Sequence, residues 1–451
     1  TLRAEVLRPD RDPAAVDAAA QQLRGRLDAC RHAVATVYTH LEENGISVGL
    51  VFRLRQLRER VLRIRELLDC LMSTHPSASA VRLLSRLVLV GQERASIRAL
   101  ITSNSSLLAA KVAERSAETG EHYITRDWPQ YRSMLRKAAG GGALTGGTTL
   151  LKFMIMGLGL SAFWGGFWAG AMYAASFVVI QLLHCTLATK QPAMTAPAMA
   201  AKLKDIGTPE AVNAFVDEVA HLMRSQAAAV LGNVLVVFPV VLLLSVGIGL
   251  LLGHPMLSAK DAAYTLHSLS LLGPTLLFAG FTGCLLFASS IIAGWVENWF
   301  VLRRLDSAMR YNPGITGILG VERAGRWAHF MRNNISGFAS NISLGFMLGL
   351  IPPIMAFFSL PLEVRHVTLS AGQLAAASVA YGVQTVFMPA FWWAVAAIPL
   401  IGALNLGVSF YLAYQLALRA HNVSGVQRAH IHQAIWARWR HRPLSFFIPA
   451  G

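Results

Sequence analysis

The sequence predicts an all-α, polytopic helical membrane protein with an N-terminal cytosolic helical bundle. Three observations carry this. Between about Ala143 and Leu418 the chain repeats mostly apolar stretches of helix-spanning length, such as VLGNVLVVFPVVLLLSVGIGLLL from Val230 to Leu252. A helix needs roughly 20 such residues to cross a bilayer. The 451 residues are 54% hydrophobic and only 14% charged, where soluble domains are about 25% charged. Charge is also unevenly placed: residues 1–139 hold 22 of the 40 Lys and Arg and 15 of the 24 acids. Most of the remaining basic residues fall between apolar runs.

Three segments follow: an Arg-rich bundle at 1–139, a transmembrane helical domain at 140–418, and a basic aromatic tail at 419–451. No signal peptide is visible, and the start at Thr1 without Met suits a fragment of a longer chain. Four scattered cysteines (Cys30, Cys70, Cys185, Cys284) show no metal-ligand spacing and read as free, buried thiols in a reducing compartment. The sequence calls for no metal and no cofactor.

In the bundle, Asp12-Pro13 starts a helix that runs to Leu41 and stops at Asn44-Gly45. The next helix has the clearest period in the chain. Leu50, Leu54, Leu57, Val61, Ile64, Leu68 and Leu71 alternate spacings of four and three, an a/d seam ended by His75-Pro76. Helices over about Ala78–Thr102 and Ser105–Glu118 complete an antiparallel bundle. Between seam positions lie Arg53, Arg55, Arg58, Arg60, Arg63 and Arg65, a cytosolic basic face suited to anionic lipid headgroups or nucleic acid phosphates. No base-reading motif accompanies it.

In the membrane domain, Gly140–Gly142 and Gly146-Gly147 read as a flexible entry. Crossings are expected over Ala143–Leu160, Phe167–Leu187, Ala227–Leu252, Leu271–Phe300, Ile335–Phe358 and Phe391–Leu418, with a turn around Phe163–Gly166. Leu369–Phe387 carries Gln373 and Gln384 and is weakly apolar. Loops 189–226, 301–334 and 419–442 are basic, and the positive-inside rule places them in the cytosol with both termini. That requires an even number of crossings. Six satisfies it, with Leu369–Phe387 as an interfacial or re-entrant helix on the outer side; seven would expose Arg438, Arg440 and Arg442 outside.

Polar groups at membrane depth point to function because each is costly unless paired. The candidates are Lys152, Gln181, His184, Asn233, Glu297, Asn298, Asn341 and Asn405. Lys152 either snorkels or pairs with Glu297 across the bundle, and Glu297 sits between the interfacial anchors Trp295 and Trp299. Juxtamembrane cations are Arg303, Arg304, His329 and Arg332. Gly345-x-x-x-Gly349 and Gly166-x-x-x-Gly170 read as close helix contacts. The tail, with His421, His430, His432, Trp436 and Trp439, reads as an amphipathic helix on the cytosolic leaflet.

Four segments resemble a bacterial integral-membrane family called "site-specific recombinase": LATKQPAMTAP from Leu187, GWVENW from Gly294, HFMRNNISGFASN from His329 and LEVRHVTLS from Leu362. The resemblance extends over about 300 residues and implies a many-helix protein of the bacterial inner membrane and a recombinase label. It brings no catalytic residues to transfer. Tyrosine recombination needs a Tyr nucleophile, two Arg and a His/Lys set. Only His329-x-x-Arg332 has a matching spacing, and Tyr381, Tyr411 and Tyr414 lie in apolar runs. Walker A, GxSxG and HExxH motifs are absent. The competing expectation is a transporter, channel or lipid-handling protein, suggested by Pro239, Pro352-Pro353, Pro389 and Pro399 and by Lys152 and Glu297. The lipid bilayer is the partner that composition requires; the sequence fixes neither a reaction nor an oligomeric state.

Overall fold

The computed structural model describes residues 2–10, 12–44, 48–73, 75–95, 124–187, 199, 209–420 and 425–449. Every regular element among them is helical. The chain divides into two compact units, Thr1–Lys111 with Asn298–His329, and Val112–Glu297 with Phe330–Gly451.

In the first unit, α1 (Leu2–Val6) lies against α2 (Pro13–Asn44), α2 against α3 (Val48–Met72), and α3 against α4 (Pro76–Ala95). Asp12 caps α2 by accepting the Ala14 N–H, with Pro13 at the first helical position. The core is one half of the expected seam. Leu54, Val61 and Leu68 are buried, as are Val16, Ala20, Leu27 and Val34 of α2. The other half, Leu50, Leu57, Ile64 and Leu71, is exposed. The buried positions repeat every seven residues, so only one row of the seam is covered although α3 has both α2 and α4 as neighbours. Ion pairs Arg24–Asp69 and Arg65–Asp28, both 2.9 Å, and Arg86–Glu66 tie the helices together. The expected helix at Ser105–Glu118 and the end of the one expected to Thr102 lie outside the described residues. Residues 298–329 of this unit carry α10 (Leu305–Tyr311) and α11 (Pro313–Leu319), between the end of a helix that stops at Leu302 and the start of one that begins at Val321.

The second unit begins with α5 (Trp128–Gly157), capped by Asp127, whose carboxylate accepts the Gln130 N–H while Gln130 accepts the Arg126 N–H. Then come α6 (Ala162–Leu182), α7 (Pro209–Leu252), α8 (Ala259–Ser268), α9 (Thr275–Leu302), α12 (Val321–Phe357), α13 (Val367–Tyr381), a 3-10 turn at Gly382–Phe387, α14 (Pro389–Ala420) and α15 (Gly425–His441). Among the described residues five helices are long and apolar enough to cross a membrane, lying at Ala162–Leu182, Val212–Leu252, Thr275–Leu302, Val321–Phe357 and Pro389–Leu416. The chain is thus an all-α polytopic protein. The expected first crossing is the C-terminal part of α5, whose Gly- and Thr-rich middle and Lys152 make it less apolar than those five.

Several expectations change. The turn between α5 and α6 falls at Leu158–Ser161, with Gly159 at φ 62°, ahead of the anticipated Phe163–Gly166. Gly140–Gly142 and Gly146-Gly147 are inside α5 rather than a flexible entry. A Cβ on Gly141 would overlap the Thr186 carbonyl, and one on Gly142 the Asn233 carbonyl, so these glycines let α5 meet its neighbours backbone to backbone. Pro239, Pro352-Pro353 and Pro399 sit within continuous helices and break none. The cysteines are free, but none is fully buried and Cys284 is exposed. The tail folds back on α7: Phe446 is wholly buried, and Arg438 pairs with Asp217.

Candidate functional site

The most polar part of the second unit's interior is built around a chain break. After α12 the chain runs without regular structure through Leu360–His366 and then forms α13, fifteen residues long. At 1.5 Å per residue α13 is about 22 Å long, too short to span a bilayer. Eleven of its residues are buried, on every side of the helix. It packs among α5, α7, α8 and α14. Its core contacts are Val237 and Val241 of α7, Leu266 of α8, and Ala397 and Ile401 of α14. Gly372 meets Thr149 of α5.

Two asparagines hold the start of α13. His366, the N-cap residue, makes no capping bond. Asn405 of α14 supplies it instead: its Oδ1 accepts the Val367 N–H at 3.0 Å, and its Nδ2 donates to the carbonyls of Arg365 and Ala279, both at 2.9 Å. Asn233 of α7 accepts from Thr368 Oγ1 at 3.3 Å, while its Nδ2 donates to the Ala138, Thr186 and Ala229 carbonyls. Both asparagines are fully buried. His366 is buried too, stacked on Phe177 with ring centres 6.2 Å apart.

One residue earlier, Arg365 brings a charge into the unit. Its side chain is 9% exposed and pairs with Glu363 at 2.7 Å, while Glu363 is 38% exposed. The guanidinium donates to the Ser268 carbonyl at the end of α8 and lies 5.4 Å from the Phe278 ring centre. Its backbone N–H donates to Thr282 Oγ1 at 2.8 Å. Glu363 also accepts from Tyr264 Oη, at 3.2 Å. At the far end of α13, Tyr381 donates to the Ala259 carbonyl at the start of α8. The short helices α8 and α13 therefore lie antiparallel, tied at both ends. Chemically this is a buried cation with a half-exposed acid and a phenol at its mouth, an arrangement that suits recognition of an oxyanion by exchange with Glu363.

Of the polar residues singled out in the sequence, Asn233 and Asn405 thus come together around α13. Gln181 and Asn341 form a separate bridge: Asn341 Nδ2 donates to Gln181 Oε1 at 2.6 Å, joining α6 to α12. The glycine pairs meet there as expected, Gly349 against Gly166 and Gly170, and Gly345 against Ala174. Lys152 does not pair with Glu297 among the described ion pairs. Leu150 shares a core cluster with Ala279, and Glu297 lies 18 residues further along α9, about 27 Å at helical rise. The charges acting on Lys152 are those of Arg365 and Glu363.

His184 is exposed at the end of α6, in a left-handed conformation (φ 54°), and terminates that helix rather than lining its interior. Trp295 and Trp299 are exposed on either side of Glu297, and Asn298 is buried. Arg303 and Arg304 are exposed in the turn after α9, Arg304 with φ 48°. On α12, His329 is exposed and Arg332 half-buried.

Arg53, Arg58, Arg60 and Arg63 are exposed on α3, and Arg65 is committed to Asp28. They do not make one face. At 100° per residue, Arg53, Arg60 and Arg63 fall within about 80° of one another, and Arg58 and Arg65 lie on roughly the opposite side. Lys190 and the imidazoles of His421, His430 and His432 fall outside what is described. Glu363, Arg365 and His366 entered the sequence reading only inside the resemblance segment LEVRHVTLS, and Tyr264 not at all, so none was singled out as a site residue. The available signal was the charged interruption Leu362-Glu363-Val364-Arg365-His366 between apolar runs, which on its own reads as balanced loop charges.

Over residues 2–449 the chain matches the family model described as Site-specific recombinase. Comparison with curated proteins and with solved structures returns no match. The geometry above is therefore that of a chain that belongs to the Site-specific recombinase family.

Proposed function

We propose that this protein handles a small anionic solute within a bacterial inner membrane, at Arg365, and does not itself exchange DNA strands. The observation that carries the reading is Arg365, a cation drawn into the apolar unit by the break before α13 and balanced by the half-exposed Glu363. Ionisable residues in such places mark solute paths because burying them costs several kcal/mol without a partner, and short re-entrant helices recur at such sites. The tyrosines weighed as nucleophiles are otherwise engaged: Tyr381 donates to Ala259, Tyr414 stacks on Phe410, and Tyr411 lies on an apolar helix. Six crossings, counting α5, with basic loops and both termini in the cytosol, complete the proposal. Glu363 and Tyr264 then face the outer side.

The test is uptake of radiolabelled phosphate and acetate into liposomes carrying wild type, Arg365→Gln or Glu363→Gln. A loss of at least tenfold in Arg365→Gln, with the protein still inserted and monodisperse, supports the reading. Equal uptake by all three, together with a phosphotyrosyl adduct on nicked genomic DNA, would restore the strand-exchange interpretation.

A further inference from the structure

Arg224 is the other deeply buried arginine of the second unit, 3% exposed on α7. Unlike Arg365, it has no carboxylate partner among the described ion pairs. Its Nη2 donates to the Ser445 carbonyl at 2.8 Å and its Nη1 to the Arg126 carbonyl at a long 3.4 Å. Its Nε is buried and has no hydrogen-bond partner. The neighbouring acids are already engaged, Asp217 by Arg438 and Glu218 by Arg126 and His221. The foremost charge acting on Arg224 is a second cation, Arg438. Three arginines thus share two carboxylates, and the most buried of the three receives neither.

A guanidinium presents Nε–H and Nη2–H side by side, the edge that grips two oxygens of a phosphate or carboxylate. On Arg224 that edge is half filled. Ser445 places a neutral carbonyl on Nη2, and nothing accepts from Nε. Ser445 belongs to a 3-10 turn, Pro443–Phe446, held in place by Phe446, which is wholly buried and whose ring lies tilted by 53° against Trp439 with centres 5.3 Å apart. Arg438 Nε also donates to Ser445 Oγ, so the turn sits over both cations.

We propose that Arg224 is a phosphate-class oxyanion site, with the Ser445 carbonyl standing where one anion oxygen binds. The anion takes both teeth of the Nε/Nη2 edge when the C-terminal turn lifts. The dianion or monoester would also meet Arg438, which leaves Ser445 at the same moment. This site is separate from Arg365 and does not depend on the transport reading. A free phosphate and a phospholipid headgroup offer the same chemistry to it.

The experiment uses the full chain in nanodiscs. In one arm, phosphatidylcholine discs carrying each chain on an Arg365→Gln background, which removes the other anion site, are titrated with labelled inorganic phosphate. In the other, phosphatidylglycerol discs contain no phosphate, and hydrogen exchange of residues 444–448 reports lifting of the turn. Phe446→Ala loosens the turn without touching Arg224 and should bind phosphate about tenfold more tightly than wild type. Arg224→Lys keeps the cation but lacks the paired edge, and should lose at least tenfold. Arg224→Gln should abolish binding, and Arg224→Lys decides the matter if the glutamine variant fails to fold. Saturable phosphate binding identifies a soluble anion, and faster exchange in phosphatidylglycerol alone identifies a headgroup; either supports the site. Failure of Phe446→Ala to respond to either probe, or unchanged affinity in Arg224→Lys, overturns it.

Discussion

Asn405 bonds the backbone on both sides of His366, accepting from Val367 N–H and donating to the Arg365 carbonyl. One side chain on α14 thus sets where the irregular segment ends and α13 begins. Asn405→Leu keeps the volume and leaves Val367 N–H and two carbonyls buried without that partner. Each buried orphan costs about 1–3 kcal/mol, so a loss of at least about 2 kcal/mol is expected. Thermal unfolding in detergent measures it; a change below about 0.5 kcal/mol, an ordinary surface-substitution effect, would mean the cap is incidental.

The contact of Gly349 with Gly170 sets how closely α12 approaches α6. A methyl at Gly349 has backbone atoms of both Gly166 and Gly170 in its way, so Gly349→Ala must push the helices apart. Gly147→Ala is the control, since nothing lies within 4 Å of the added carbon. There the usual helix preference for Ala over Gly applies, up to about 1 kcal/mol of stabilisation. Opposite signs in the two melting shifts are expected, and equal shifts would count against backbone-level packing.

On α3 the divided seam makes a sharp contrast. Leu68→Ala removes a buried side chain and should cost about 2–5 kcal/mol. Ile64→Gln alters an exposed position and should stay within about 0.5 kcal/mol. Circular dichroism melts of the full chain compare them. Comparable losses would show that the exposed half of the seam is packed in solution.

These contrasts show what the residues alone could reveal. Apolar run length identified the spanning helices, and heptad spacing identified α3, because both are local properties. Which half of the seam is buried depends on where α2 lies, and spacing carries no such information. Gly141 and Gly142 look flexible in sequence, since the same lack of a side chain that loosens an isolated chain permits close contact once Thr186 and Asn233 are near. Asn233 and Asn405 were legible as costly polar groups. Their shared target, the start of α13, was not, because it lies 135 residues from one (Thr368) and 38 from the other (Val367). Charge alone allows Lys152 either to snorkel or to pair with Glu297, and position along the helices separates the two.

Tyr264 gives the polar mouth a pH signature. Burial first, and then the neighbouring Glu363 carboxylate, hold its phenol above the ordinary value, which is about 10. A group raised on folding stabilises the fold fully below its unfolded pKa and loses that contribution as pH climbs through the folded one. Wild type should therefore lose stability more steeply than Tyr264→Phe above about pH 10. Near pH 7 the two curves should keep a constant offset. Parallel curves through pH 11 would show that the Tyr264–Glu363 bond has no energetic weight.

The arginines of α3 predict how the bundle meets polyanions. Because they divide between two sides of the helix, one duplex can engage Arg53, Arg60 and Arg63 together but not all five. Each phosphate contact contributes about −0.9 to the slope of log affinity against log salt. Replacing Arg53, Arg60 and Arg63 with Gln should therefore reduce the magnitude of the slope by at most about 2.7, measured on the full chain in neutral nanodiscs with duplex DNA. Adding Arg58→Gln should change it little further. Arg65→Gln should act mainly through the lost Asp28 pair, worth about 0–1 kcal/mol at the surface. A reduction of about 4.5 on replacing all five would instead require a single continuous phosphate-binding face, which the continuous helix Val48–Met72 does not provide.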